Sequence, residues 1–179
     1  MTTNNHFVEE IKKHIRTFPD FPKPGVLFRD ITPLLAQPAA MVLVAKEFEA
    51  RYPDHSFDII AGIDSRGFIF STLLATLWHK PLALVRKSGK LPGKTFKQSY
   101  ALEYAEATLE VQADSFQPEQ KVLLVDDLLA TGNTLATAIK LIENCGANVT
   151  GVATLIELAS LNGRSTLPNR QVETLILED

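Results

Sequence analysis

The chain has 179 residues, 45% hydrophobic and 22% charged, a composition typical of one soluble globular domain. Its net charge of −3 and the lack of a run of ~18–20 apolar residues argue against a nucleic-acid partner and against a membrane span. The single cysteine, Cys145, excludes an internal disulfide, and the stretch MTTNNHFVEE lacks a secretory pattern, so we expect a cytoplasmic protein.

Helical and strand patterns alternate along the chain. In chain order they predict a helix over about 6–16, a loop over 18–25, a helix over 39–52, a strand over 57–63, a buried helix over 67–80, a strand over 81–85, a basic loop over 87–98, strands over 107–112 and 122–125, a helix over 133–144, and strands over 148–158 and 171–177. This alternation predicts an α/β fold whose central sheet is largely parallel and flanked by helices.

The stretch VLLVDDLLATGNT carries the main functional signal. Its apolar strand runs into two adjacent acids, Asp126 and Asp127. Because ligands of open α/β sheets bind beyond the carboxyl ends of the strands, we expect at least one carboxylate to reach a cleft. The alternative is that one of the acids only caps a turn, as aspartate often does.

The loop ATGNT that follows suits a phosphate. It leads into a predicted helix, whose first N–H groups lack partners and carry partial positive charge. Thr131 and Thr134 add hydroxyl donors, and Gly132 permits a close approach of the backbone. Phosphate donors beside acceptors for a sugar diol match the layout of ribose 5-phosphate.

Two other patterns are set aside. GKLPGKT resembles a Walker phosphate loop, but that pattern requires a glycine at position 88, where this chain has Ser88. LLVDD resembles part of a receiver domain, but its acidic pair lies late in the chain, and no later strand carries a phosphoacceptor aspartate.

VLLVDDLLATGNT resembles the phosphoribosyl-diphosphate signature of the type I phosphoribosyltransferases. The resemblance implies that Asp126 and Asp127 contact the ribose hydroxyls. It also implies that the 5-phosphate is bound by the loop residues Ala130, Thr131, Gly132, Asn133 and Thr134. The family commonly has glycine where this chain has Asn133, and we expect a small effect because asparagine tolerates a left-handed backbone.

Further segments resemble the members of this family that use adenine. These segments are FPDFPKPGVLFRDITPLL (18–35), GIDSRGFIF (62–70), RKSGKLPG (86–93), YALEYAEATLE (100–110) and LIELASLNGR (155–164). The resemblance implies one domain over 1–179, with a helix and a small hood over the base site in about 1–35. It implies that Phe28 stacks on adenine while the Leu27 carbonyl and the Arg29 amide pair with the base edge. Alternatively, Phe28 is only a core aromatic.

The same resemblance implies a diphosphate site around the loop DSRG. Arg66 heads a helix there, and a non-proline cis peptide is expected between Asp64 and Ser65. The alternative for Arg66 is a solvated surface arginine. Mg²⁺ is expected as the cofactor, held mainly by the diphosphate without a direct protein ligand. The cations assigned to this site are Arg66, Arg86, Lys87 and Lys90.

The implied reaction transfers the 5-phosphoribosyl group from phosphoribosyl diphosphate to adenine, giving AMP and diphosphate in purine salvage. Glu103 matches the family's glutamate on a loop that closes over the base, and its neighbour Tyr104 competes for that catalytic role. We expect residues about 87–106 to be mobile without ligand, and the protein to be a homodimer. The alternative function is a non-catalytic regulator on the same fold that senses purines or phosphoribosyl diphosphate.

Overall fold

The computed structural model describes residues 5–54, 56–101 and 106–179. The chain divides into two compact units, Met1–Pro53 and Asp54–Asp179. The helices of the described residues are α1 (Asn5–Lys12), α2 (Thr32–Leu35), α3 (Pro38–Arg51), α4 (Gly67–Leu77) and α5 (Asn133–Asn144). Their strands are β1 (Arg16–Phe18), β2 (Phe28–Asp30), β3 (Ile59–Ile63), β4 (Leu82–Lys87), β5 (Thr95–Ala101), β6 (Glu106–Gln112), β7 (Lys121–Leu129), β8 (Asn148–Leu158) and β9 (Gln171–Glu178).

The first helix ends earlier than the sequence predicts. The chain leaves α1 at Lys12, and Arg16 begins β1 opposite Asp30 of β2. Arg16 Nη2 lies 2.6 Å from Asp30 Oδ2, and Thr32 N–H donates to Asp30 Oδ1 at 2.9 Å. These hydrogen bonds, those of Thr32 first, lower the pKa of Asp30 to about 2. The prediction of a helix through residue 16 was wrong because this ion pair favours the strand pair.

Phe28 begins strand β2, for which the sequence pattern predicted no element. The proline-rich segment connects β1 to β2, and Phe28 pairs with Phe18 across that hairpin. The Phe28 ring packs edge-on against Phe21, with centroids 5.1 Å apart. The predicted helix over 39–52 is confirmed as α3, which buries Val44 and Phe48 completely.

The second unit is built on a mostly parallel sheet. Among the described residues, seven strands lie in the order β5-β6-β4-β3-β7-β8-β9. The ladders β3–β4, β3–β7, β7–β8 and β8–β9 are parallel, while β6 pairs antiparallel with β4 and β5. Every residue of β3 is buried, as expected for a central strand covered on both faces. The predicted fold class is confirmed.

Strand β7 is longer than predicted, and this places the acidic pair. Its pairing with β3 covers Val122–Val125, whereas its pairing with the long strand β8 continues to Leu129. Asp126 and Asp127 therefore lie inside β7, on the part that extends past its ladder with β3. The expectation that the acids stand at the end of the strand was wrong, because β7 stays paired with β8 for four residues beyond its ladder with β3.

The basic segment 87–98 is only partly a loop. Strand β4 runs to Lys87, and β5 begins at Thr95 and pairs with β6 in continuous antiparallel register. The residues between them form the connection. The prediction missed β5 because its lysine and glutamine interrupt the apolar alternation, although threonine, phenylalanine and tyrosine favour strands.

Helix α4 has one buried face and one exposed apolar face. Phe70 and Leu74 are fully buried, while Ile69 is 37% and Leu77 is 52% exposed. The prediction of a wholly buried helix was therefore wrong for the outer face of this single chain. In the part of the chain that the structure describes, the helices lack the length and apolar character of a membrane span.

Candidate active site

Asp126 and Asp127 form a buried acidic pair beside the start of α4. Their exposed fractions are 9% and 6%, and the Asp127 N–H donates to Asp126 Oδ1 at 2.9 Å. Arg66 Nη2 lies 2.6 Å from Asp127 Oδ2. Gly67 lets the helix approach this closely, since a Cβ there would lie 2.9 Å from Asp126 Oδ1. The pair thus sits against a helix N-terminus, which favours negative charge.

Burial sets the protonation of the pair. Burial first, and then the charge of Asp127, raises the pKa of Asp126 well above its ordinary value. Burial also raises the pKa of Asp127, although the guanidinium of Arg66 opposes this effect. Both acids hold their protons to higher pH than exposed aspartates do, and once ionised they accept hydrogen bonds strongly.

The predicted phosphate loop leads directly into α5. Gly132 has a φ of +80° and occupies the residue before the helix, whose first hydrogen bond runs from Ala136 N–H to Gly132 O at 2.8 Å. Among the described residues, no side chain caps this end of α5. The first N–H groups of the helix are therefore open to an anion. The predicted helix bounds, 133–144, are confirmed.

A second glycine, Gly163, lies behind this loop, and the sequence pattern assigned it no role. A Cβ on Gly132 would overlap the Thr166 hydroxyl and the Gly163 carbonyl, and a Cβ on Gly163 would overlap the Ala130 carbonyl. Two backbones therefore pass each other at a distance that only glycine permits. Gly163 lies within the segment 155–164, which resembles the family. That resemblance does not indicate why a glycine is needed there.

An ion pair holds that supporting segment. Arg164 Nε donates to both carboxylate oxygens of Glu157 at 2.8 Å, and Arg164 Nη1 donates to the Val172 carbonyl at 2.8 Å. Glu157 is 4% exposed near the end of β8. The short 3-10 helix Gly163–Thr166 is thereby fixed to β8 and β9 behind the phosphate loop.

One cavity of about 370 Å³ brings most of these groups together. The acidic pair and residues 63–66 and 130–135 line it, and Lys87, Tyr100, Leu109 and Leu128 complete the lining. Asp126, Asp127, Arg66, Lys87 and the five residues of the predicted phosphate loop thus share one space. Tyr100 and Leu109 were not among the predicted site residues, because Leu109 is one apolar residue of a predicted strand and Tyr100 lies on β5, which the sequence pattern did not indicate.

The loop after β3 shows the expected backbone. The peptide bond between Asp64 and Ser65 is cis, which confirms that prediction. Arg86 lies outside the cavity lining, where its Nε is 3.1 Å from Asp64 Oδ2 and its guanidinium is 5.7 Å from the centroid of the Phe68 ring. Arg86 therefore contacts the loop that carries Arg66.

Lys90 is also placed away from the cavity lining. Its backbone N–H donates to Glu110 Oε1 at 2.8 Å, as does that of Leu91 at 3.0 Å. Burial alone would raise the pKa of Glu110, but the amides of Leu91 and Lys90 outweigh it and the pKa is lowered. This buried carboxylate, 1% exposed, ties the connection between β4 and β5 to β6.

The residues predicted to bind adenine lie in the first unit. Phe28 and Arg29 are on β2, and Leu27 precedes them with 47% of its surface exposed. Arg29 Nη1 donates to the Leu27 carbonyl at 2.8 Å. Glu103 and Tyr104, the predicted catalytic residues, lie outside the described residues. Within the described residues, histidine, cysteine and acidic side chains form no group of three suited to a metal.

The fold and the cavity can be compared with known proteins. Residues 31–176 match the family described as the phosphoribosyl transferase domain. A protein of Nitrosopumilus maritimus named adenine phosphoribosyltransferase is 46% identical over 93% of this chain and 98% of its own length.

Solved structures agree with this match. The adenine phosphoribosyltransferase of Rhodothermus marinus has a TM-score of 0.93 and 41% identity, covering 98% of this chain and all of its own. The enzyme of Saccharomyces cerevisiae, solved with an imino-altritol bisphosphate and adenine, has a TM-score of 0.90 and 36% identity, with 96% and 99% covered. The chain therefore belongs to the phosphoribosyltransferase family, among its adenine phosphoribosyltransferases.

Proposed function

We propose that this chain transfers the 5-phosphoribosyl group of phosphoribosyl diphosphate to adenine, producing AMP and diphosphate in purine salvage. The observation that carries the proposal is the shared cavity, in which the acidic pair faces the same space as the start of α5. An enzyme for this reaction must hold a diol and a phosphate at the two ends of one ribose, and these two groups suit those ends.

Asp126 and Asp127 are proposed to accept hydrogen bonds from the ribose hydroxyls. Their carboxylates also place negative charge near a ribose that becomes positively charged as diphosphate leaves. The loop of Ala130, Thr131, Gly132, Asn133 and Thr134 is proposed to bind the 5-phosphate. Its support is the uncapped helix start and the left-handed Gly132.

The diphosphate is proposed to meet the cations near Asp64–Ser65. Arg66 and Lys87 line the cavity, which supports a direct contact. Arg86 and Lys90 are proposed for the same site on the family resemblance, and the Arg86–Asp64 pair keeps Arg86 beside the loop.

Mg²⁺ is the proposed cofactor. Because Mg²⁺ gives up its waters reluctantly and is commonly bound through substrate phosphates, the diphosphate would hold it mainly, without a direct protein ligand. When bound, the metal would neutralise charge on the departing diphosphate.

Adenine is proposed to stack on Phe28 and to pair with the Leu27 carbonyl and the Arg29 amide. A carbonyl oxygen has two lone pairs, so Leu27 can accept from the base as well as from the Arg29 side chain. Glu103 is proposed to position the base or accept its proton, with Tyr104 as the competing residue. Closure of this segment would exclude water from the activated ribose.

The comparisons favour catalysis over the alternative of a regulator, because relatives named as enzymes match nearly the whole chain.

We also propose a homodimer formed through the outer face of α4. Ile69, Leu73 and Leu77 recur there every fourth residue, and the first and last are exposed. A cytoplasmic location is proposed because both substrate and product are phosphorylated and the chain has one cysteine.

An assay of diphosphate release tests the function directly. The purified chain is mixed with Mg²⁺, phosphoribosyl diphosphate and one of adenine, hypoxanthine, guanine or uracil. Release with adenine, accompanied by AMP, is expected. Faster release with hypoxanthine or guanine would contradict the substrate assignment, and ligand binding without release from any base would favour the regulator.

A further inference from the structure

Tyr100 lies on the wall of the cavity without a role in the reaction described above. It is the sixth residue of β5, the strand at the edge of the sheet, and its ring packs on the core cluster beside α5. Its hydroxyl lies 3.3 Å from Thr134 Oγ1, and both residues line the cavity. The phenol therefore reaches the start of α5, beside the phosphate loop.

The position of Tyr100 is fixed by the docking of β5 along α5. Side chains two apart on a strand share a face, so Gln98 and Tyr100 point the same way. Gln98 Oε1 accepts from Asn144 Nδ2 at 3.3 Å at the end of α5, while Tyr100 reaches Thr134 at its start. These two contacts lie at opposite ends of the helix, so β5 runs along α5 and brings the phenol to the helix N-terminus.

The hydroxyl pair is loosely bonded. Hydrogen bonds between hydroxyl groups are usually 2.7–2.8 Å long, so a separation of 3.3 Å gives a weak bond that costs little to redirect. A tyrosine hydroxyl is neutral near pH 7 and can donate one hydrogen. Donation to a doubly charged phosphate would be stronger than donation to a neutral threonine.

We propose that Tyr100 is a further ligand of the 5-phosphate and donates its O–H to a phosphate oxygen beside Thr134; this inference rests on the proposed function. The residue would add a side-chain donor to those of the helix start.

Calorimetry on Tyr100→Phe tests this assignment, because the variant removes only the hydroxyl. AMP and ribose 5-phosphate are titrated as ligands with the phosphate, and adenosine as a ligand without it. We expect AMP and ribose 5-phosphate to bind about tenfold more weakly and adenosine to bind unchanged. In turnover, the KM for phosphoribosyl diphosphate should rise about tenfold while the KM for adenine stays within about twofold.

Two control variants separate the hydroxyl from the strand. Ser99→Ala removes a hydroxyl on the opposite face of β5, where it bonds Thr108 Oγ1 at 2.8 Å, and should leave AMP binding unchanged. Gln98→Ala removes a second hydrogen bond between β5 and α5 and should weaken AMP binding less than Tyr100→Phe does.

Three results would overturn the assignment of Tyr100. They are unchanged AMP affinity in Tyr100→Phe, equal weakening of AMP and adenosine, and an effect of Gln98→Ala as large as that of Tyr100→Phe. Failure of the proposed function would look different, because the wild-type chain would then release no diphosphate with adenine. An active wild type whose Tyr100→Phe variant binds AMP normally rejects this inference alone.

Discussion

Replacing both acids of the cavity, Asp126→Asn with Asp127→Asn, should abolish most activity and leave the fold intact. Asparagine keeps the size of each side chain and one oxygen acceptor, but removes the charge. Both acids are buried on β7, where the ladder with β8 continues through the site. Because asparagine can occupy the same space, the backbone of the strand has no reason to move.

The expected loss follows from the hydrogen bonds. A bond to a charged group contributes about 1.5–3 kcal/mol, against about 0.5–1.5 for a neutral pair, so each acid loses about 1–1.5 kcal/mol. Two such losses lower kcat/KM by roughly 30- to 150-fold before any electrostatic effect on the ribose cation. Losing the Arg66–Asp127 pair, whose arginine is 30% exposed, should cost about 1 kcal/mol or less of stability.

The pH dependence gives an independent check on the pair. The folded pKa of Asp126 is raised, so the folded state binds more protons than the unfolded state above the ordinary value of 3.8. The contribution of Asp126 to the free energy of unfolding therefore falls as pH rises from 3.8 towards the raised pKa. Asp126→Asn lacks this penalty, so its Tm relative to wild type should be higher at pH 8 than at pH 4.

The assay combines diphosphate release with thermal unfolding at pH 4, 6 and 8, and Asp114→Asn serves as an exposed acidic control. A double variant that turns over at the wild-type rate would refute the diol assignment. A Tm for Asp126→Asn that falls against wild type as pH rises would refute the assigned protonation of the pair.

Other substitutions separate the parts of the site. Gly132→Val should weaken AMP strongly and adenine little in calorimetry, because valine tolerates the left-handed φ poorly and its Cβ would overlap Gly163; unchanged AMP affinity would argue against a phosphate site. Phe28→Ala should raise the KM for adenine roughly ten- to hundred-fold, since stacking on an aromatic contributes about 1–3 kcal/mol. Phe21→Ala, which removes the other ring of the pair, is its control, and an equal effect on both substrates would indicate unfolding. Glu103→Gln should lower kcat with nearly unchanged binding in single-turnover measurements; a wild-type kcat would remove Glu103 from the mechanism, and a collapse in Tyr104→Phe would assign the role to Tyr104.

The sequence predicts the central fold well because its patterns are local. Val122–Val125 is an apolar run, and residues 59–63 and 151–157 are buried throughout, as expected for strands of a parallel sheet covered on both faces. Helix 133–144 has both ends marked by glycine, Gly132 before it and Gly146 after it, and both have positive φ. Such signals lie within a few residues of the element that they define.

The errors occur where a distant partner decides the structure. Residues 13–16 continue a helical pattern, but Asp30, fourteen residues away from Arg16, draws that residue into a strand. Residues 95–101 lack a clear strand pattern, yet β6 supplies a complete ladder. The residues of the cavity divide in the same way. Thr131 and Thr134 are indicated by the local sequence, whereas the need for glycine at 163 arises only because Gly132 lies against it.

The physical reason given for expecting Asn133 to be tolerated was wrong. Its departure from the family's glycine was expected to be tolerated because asparagine accepts a left-handed backbone. In the structure, Gly132 has a positive φ and Asn133 does not, because Asn133 is the first residue of α5. A side chain at the first helical position meets no steric penalty, and Thr137 Oγ1 donates to the Asn133 carbonyl at 2.8 Å within the helix. The substitution therefore leaves the left-handed residue, on which the phosphate loop depends, unchanged.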